Sequence, residues 1–84
     1  MDIRNELGEM IANRYEAYEA PVDMIGDDTL WDGDLWYGIG IVAGVVVGVT
    51  VSDFGKPTFR EFADVPTAAR WMDGIRDGSV DPYA

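Results

Sequence analysis

The sequence predicts an α+β domain in two layers, with the order α-β-β-β-α and two helices packed on one face of a three-stranded antiparallel meander. Three observations lead there. Residues 2–20 carry apolar side chains at helical spacing. Every odd position from 35 to 51 is apolar, a period of two. Residues 65–77 return to helical spacing. Eighty-four residues make one domain. A chain this short buries only about 60–65% of its unfolded surface, so its stability margin is small.

The first helix is expected over residues 2–20. Ile3, Leu7, Met10, Ile11, Tyr15 and Tyr18 form its apolar stripe, Asp2 is the N-cap and Pro21 the stop. Glu6, Glu9, Asn13, Glu16 and Glu19 occupy the other face, the pattern of a solvated surface. Residues 21–34 read as an acidic connector with five Asp and two Gly, pinned to the core by Leu30 and Trp31.

A single strand over residues 35–51 would run roughly 55 Å, too long for a small domain, so the segment folds into a hairpin with strands at about 35–41 and 45–52. If the odd residues stay on one face, the loop length must be odd. A three-residue loop of Val42, Ala43 and Gly44 meets that condition. It pairs Ile41 with Val45, Ile39 with Val47, Tyr37 with Val49 and Leu35 with Val51. Gly38 then faces Gly48, and Trp36 points away from the helices. Residues 53–57 form a second turn, and residues 58–62 a third strand, at the sheet edge because Pro57 opens it. Phe59 and Phe62 fall on opposite faces, which leaves its register open. The second helix spans 65–77, with Asp64 as N-cap, Pro66 in the first turn and Gly78 as the stop. Residues 79–84 are expected to be a tail.

Charge separates the possible functions. The formal net charge is −10, from 16 acids and 6 bases. Residues 15–55 contain no Lys or Arg and eight carboxylates: Glu16, Glu19, Asp23, Asp27, Asp28, Asp32, Asp34 and Asp53. Such a field attracts cations and basic protein surfaces and repels nucleic acid and anionic lipid. There is no Cys and no His, so thiol and Ser-His catalysis are excluded. Enzymatic activity and a cofactor are not expected. Asp27, Asp28, Asp32 and Asp34 are oxygen donors of the type calcium takes, but Leu35 and Trp36 follow where further ligands would be needed. No metal site is assigned. The N-terminus lacks a secretory pattern, which points to the cytoplasm.

Two alternatives follow from the same residues. One is a non-enzymatic structural or regulatory domain of a halophile, since eleven Asp, five Glu and one Lys suit a high-salt surface. The other is a small single-span membrane protein, because residues 35–52 are uncharged and contain Gly40, Gly44 and Gly48 in a small-xxx-small pattern. Strict alternation and acidic flanks argue against the span.

The preferred reading is a binding protein. In size, in the acidity of Asp27-Asp28 and Asp32-x-Asp34, in its lack of Cys and His and in having no enzyme motif, the chain resembles small acidic proteins of phages and mobile elements. Anti-CRISPR proteins and other DNA mimics are the notable examples. The resemblance implies an inhibitor that acts in the host cell cytoplasm by blocking a basic nucleic-acid-binding surface, such as that of a CRISPR effector, without itself binding nucleic acid. The expected contacts are Glu16, Glu19, Asp23, Asp27, Asp28, Asp32 and Asp34, with Trp31 or Trp36 as the apolar anchor.

Overall fold

In the computed structural model, which describes residues 3–19, 22–30, 35–52 and 55–82, the centre of the chain folds into two strands, β2 (Leu35–Val42) and β3 (Val45–Ser52). Val42 pairs with Val45, so the turn is the two residues Ala43 and Gly44. Their φ angles are 50° and 80°. Positive φ at both central positions gives the tight hairpin turn whose twist matches that of the strands. This corrects the expected three-residue loop. Alanine is strained in that conformation, by about 1–2 kcal/mol. Ala43→Asn is therefore expected to raise the unfolding free energy by about 1 kcal/mol in urea titration, because asparagine tolerates the left-handed region.

The shorter turn changes which residues share a face. Ile39 lies opposite Gly48, Tyr37 opposite Thr50 and Gly38 opposite Val49. The expected pairs of Ile39 with Val47 and Gly38 with Gly48 do not form. The odd residues of β2 and the odd residues of β3 point to opposite faces, and Leu35, Tyr37 and Ile39 of the first set and Val47, Val49 and Val51 of the second are buried. An odd loop length is required only when a single face is buried, and here both faces are.

Both faces are covered. Leu7 and Ile11 of α1 (Ile3–Tyr15) are fully buried against Met24, Val42, Val47, Val49 and Val51. On the other face Ala68, Trp71, Met72 and Ile75 of α2 (Val65–Asp77) pack against Leu35, Tyr37, Ile39 and Val46. The α+β class and the antiparallel meander between two helices are as expected. The layering is not: the helices sit on opposite faces, giving three layers. Glycines make this possible. A Cβ at Gly38 or Gly40 would meet Leu7 or Ile11, and one at Gly48 would meet Trp71.

The sheet among the described residues has four strands in the order β1-β2-β3-β4. The additional one is β1 (Asp23–Thr29), where the sequence reading placed the acidic connector. Its Asp and Gly content is low in strand preference, but an edge strand tolerates charge. Its register with β2 shifts between Met24 and Gly26, a bulge at Ile25. At the other edge β4 (Pro57–Phe62) pairs Phe59 with Val49 and Phe62 with Val46, which sets the register left open by the sequence and sends the two rings to opposite faces.

The helix ends follow their caps. Asp64 accepts from the Thr67 backbone N–H at 2.9 Å and from its hydroxyl at 2.6 Å. The two bonds hold its carboxyl below the usual carboxylate range. That contribution to stability is present at neutral pH and is lost as the pH falls through the lowered value. Gly78 closes α2 with φ 87°. The expected tail is docked as far as residue 82: the Val80 N–H donates to Gly74 O at 3.0 Å, and Thr50 Oγ1 donates to Pro82 O at 3.3 Å.

The first helix is shorter than expected, ending at Tyr15 rather than near residue 20. Glu16 takes a left-handed φ of 54°, and the Ala17 N–H donates to Ala12 O at 2.9 Å. This is the glycine-type helix stop carried by a glutamate. Ala17 packs against the α1-side core, while Tyr18, expected in the buried stripe, is 71% exposed. The Tyr15 hydroxyl donates to Glu61 Oε2 at 2.8 Å, tying this end of α1 to β4. Partial burial, and then the Glu61 carboxylate, push the Tyr15 phenol up from its ordinary range.

Candidate protein-binding surface

The pairing of β1 with β2 decides what its carboxylates do. Asp27 pairs with Gly38 and Asp28 with Tyr37, so the two side chains leave opposite faces of the sheet. Asp27 Oδ2 lies 3.5 Å from Arg4 Nε of α1. Asp28 Oδ2 accepts from Arg76 Nη2 of α2 at 2.7 Å, and its Oδ1 accepts from the Thr29 N–H at 2.8 Å. Arg76 also reaches Asp73 at 3.4 Å. The neighbouring Tyr37 hydroxyl, and after it the Asp28 carboxylate, hold the Arg76 guanidinium further toward its charged form. Tyr37 Oη itself is buried and has no hydrogen bond of good geometry within the described residues.

Asp27 and Asp28 therefore tie the edge strand to a helix on each side. Exposed pairs of this kind contribute little individually, about 0–1 kcal/mol. Their effect here is to orient the two carboxylates back onto the domain. Diverging as they do, they do not chelate a shared ion. Both were expected to face a partner, and both are engaged inside the molecule.

Trp36 is also placed differently from expectation. It pairs with Val51 and Thr29 on the face covered by α1, and is half-buried against that core. It is not a free aromatic platform. Trp31, Asp32 and Asp34 lie outside the described residues.

Glu16, Glu19 and Asp23 remain as expected on the surface. All three are exposed, and none forms an ion pair with another described residue. The left-handed stop at Glu16 turns the chain away from the helix axis, and β1 begins at Asp23. Between α1 and the start of β1 lies an open groove of about 730 Å³. Gly8, Ala12 and Met24 are among its apolar lining, and Glu9, Asn13 and Asp23 among its polar lining. Tyr18 lines it too and stands largely in solvent.

Sequence reasoning missed Tyr18 and Glu9. Tyr18 falls on the helical stripe if the helix continues, and no glycine or proline before it announced the stop. Glu9 looked like any other charge on a solvated face. The one available signal was the small pair Gly8 and Ala12 on the same helix, which leaves space beside β1.

Residues 35–52, the stretch considered as a span, form the β2–β3 hairpin, and no described helix is long and apolar enough to cross a membrane. Comparison with known proteins brings no relative to bear on the surface: no family model, no curated protein and no solved structure matches the chain.

Proposed function

We propose that the protein is a small acidic binding module that occupies a basic surface of a nucleic-acid-binding complex, in the manner of anti-CRISPR proteins and other DNA mimics. The observation that supports this reading is the surface around Tyr18. It has an exposed aromatic ring with Glu16 and Glu19 beside it in sequence and Asp23 lining the same groove, all within residues 15–55, which hold no Lys or Arg, while Glu9 lines the groove from α1 together with Arg4. Carboxylates placed next to a solvent-facing ring suit the Arg and Lys side chains that line phosphate-binding grooves. Asp27 and Asp28 are reassigned from partner contacts to internal ties.

The reading is tested by measuring fluorescent DNA binding to a panel of purified CRISPR effector complexes at moderate salt. The native chain should lower DNA occupancy of at least one of them. The triple variant Glu16→Lys, Glu19→Lys, Asp23→Lys should lose that effect by at least about tenfold, with an unchanged circular dichroism spectrum. DNA occupancy unaffected by the native chain across the panel would reject the reading. So would a folded triple variant that competes as well as the native chain.

A further inference from the structure

We infer that the groove between α1 and β1 receives an extended, Lys- or Arg-bearing segment of a partner protein, which adds to the free edge of β1 as a fifth strand. The inference rests on the proposed binding function and specifies how the same surface would hold its partner.

Backbone geometry comes first. β1 is the terminal strand of the sheet, with β2 on one side and no strand on the other among the described residues. An edge strand presents backbone donors and acceptors to an incoming chain. The opposite edge is less suited, because β4 opens with Pro57, which has no N–H to offer.

The groove supplies the second requirement, space for side chains. In an added strand, alternate side chains point to each face of the sheet. On the α1 side they would enter the groove of about 730 Å³ over Gly8, Ala12 and Met24. A Cβ at Gly8 would sit 3.7 Å from Met24 Cγ, an ordinary contact, so Gly8 and Met24 together form the floor of the groove. The bulge at Ile25, a residue 40% exposed, interrupts the edge. It limits pairing to a short segment and discourages indefinite stacking of copies.

Charge selects the occupant. Glu9 and Asp23 line the groove, and the cation that lines it, Arg4, already lies 3.5 Å from Asp27. Tyr18 offers a ring face at the same groove for a guanidinium or ammonium group. An acidic or neutral strand would forgo these contacts, and an acidic one would be repelled by a chain of net charge −10.

The test uses the whole chain and a capped peptide of about ten residues that alternates Arg and Val, the length of a short added strand. Nitrogen-labelled protein is titrated with it and followed by NMR. Amide shifts should centre on residues 22–25 and on residues 8–13 of α1. A peptide of the same charge, N-methylated on the residues of one edge, should bind at least about tenfold more weakly, because it loses backbone hydrogen bonds while keeping its charge. Ala12→Leu should weaken the unmodified peptide similarly by filling the groove.

Equal binding by the N-methylated peptide would overturn the inference in favour of diffuse charge attraction. Shifts centred on β4, or no binding at millimolar peptide, would also overturn it. If Ala12→Leu does not fold, the N-methylation comparison on the native chain still decides. The two proposals fail separately. Competition with DNA by a chain that ignores N-methylation would remove strand addition only, and peptide binding without any DNA competition would remove the decoy function only.

Discussion

Gly38→Ala is expected to lower the unfolding free energy by about 2–3 kcal/mol, at the upper end of what overpacking a core usually costs. A Cβ at this position would lie 2.9 Å from the Gly26 carbonyl oxygen, 2.9 Å from Leu7 Cδ1 and 3.1 Å from Met24 Cε. The carbonyl belongs to the backbone of β1, the neighbouring strand, and has little freedom to yield. The loss should exceed the small gain that alanine offers over glycine in a strand. Gly40 provides the control. Its Cβ would meet Met24 Sδ, Val22 Cγ1 and Ile11 Cδ1, all of them side-chain atoms rather than backbone, the first in an unbranched and adaptable methionine. Gly40→Ala should therefore cost clearly less. Urea unfolding of the two variants is the measurement. Equal losses, or a neutral Gly38→Ala, would show that β1 is not held as closely against β2 as described.

The second large effect is on the other face. Trp71→Ala is expected to cost about 3–5 kcal/mol, the range for truncating a buried aromatic. Trp71 is 8% exposed, lies over Gly48 and meets Phe62 at a ring-centroid distance of 5.3 Å with planes inclined by 50°. At about 0.05–0.15 kcal/mol per residue a domain of this size has roughly 4–13 kcal/mol in total, so the variant should unfold at markedly lower temperature. The contact with Gly48 makes the prediction sharper. A Cβ at Gly48 would lie 2.8 Å from Trp71 Cζ3 and 2.7 Å from Phe62 Cε2. Removing the indole opens part of that space, so Gly48→Ala should cost less in the Trp71→Ala background than in the native chain. Strict additivity in this double-mutant cycle would contradict the described packing.

Much of the architecture was legible in the residues, for identifiable reasons. The second helix carries its own punctuation in Asp64, Pro66 and Gly78, and the structure uses each as its chemistry suggests. The alternation over residues 35–51 reports strands reliably because a period of two has no helical counterpart. What that alternation does not report is how many faces are buried. A hairpin with a two-residue turn and one with a three-residue turn share the same sequence pattern and differ only in which valines join which helix.

The candidate site was less legible. Asp27 and Asp28 looked like loop charges because nothing local marks β1 as a strand, and its pairing depends on the glycines of β2, residues distant in the chain. The stop at Glu16 has no local signature either, since glutamate rarely takes a positive φ. Tyr18 consequently moved from the core stripe to solvent. Glu16, Glu19 and Asp23 are exposed as their charge suggests, but Glu16 and Glu19 lie beyond the helix expected to carry them and Asp23 opens a strand rather than sitting in a connector.

The strand order has a kinetic consequence. Among the described residues the strand order in the sheet follows the order in the chain, so each strand pairs with its neighbours in sequence. Every pairing therefore closes a short loop, and the entropy lost before each contact forms is small. A four-stranded sheet usually implies slow refolding through distant contacts, but a pure meander is assembled from successive hairpins. Refolding should accordingly be faster than for a sandwich of similar length, with the β2–β3 hairpin able to form early and the helices docking on either side of it.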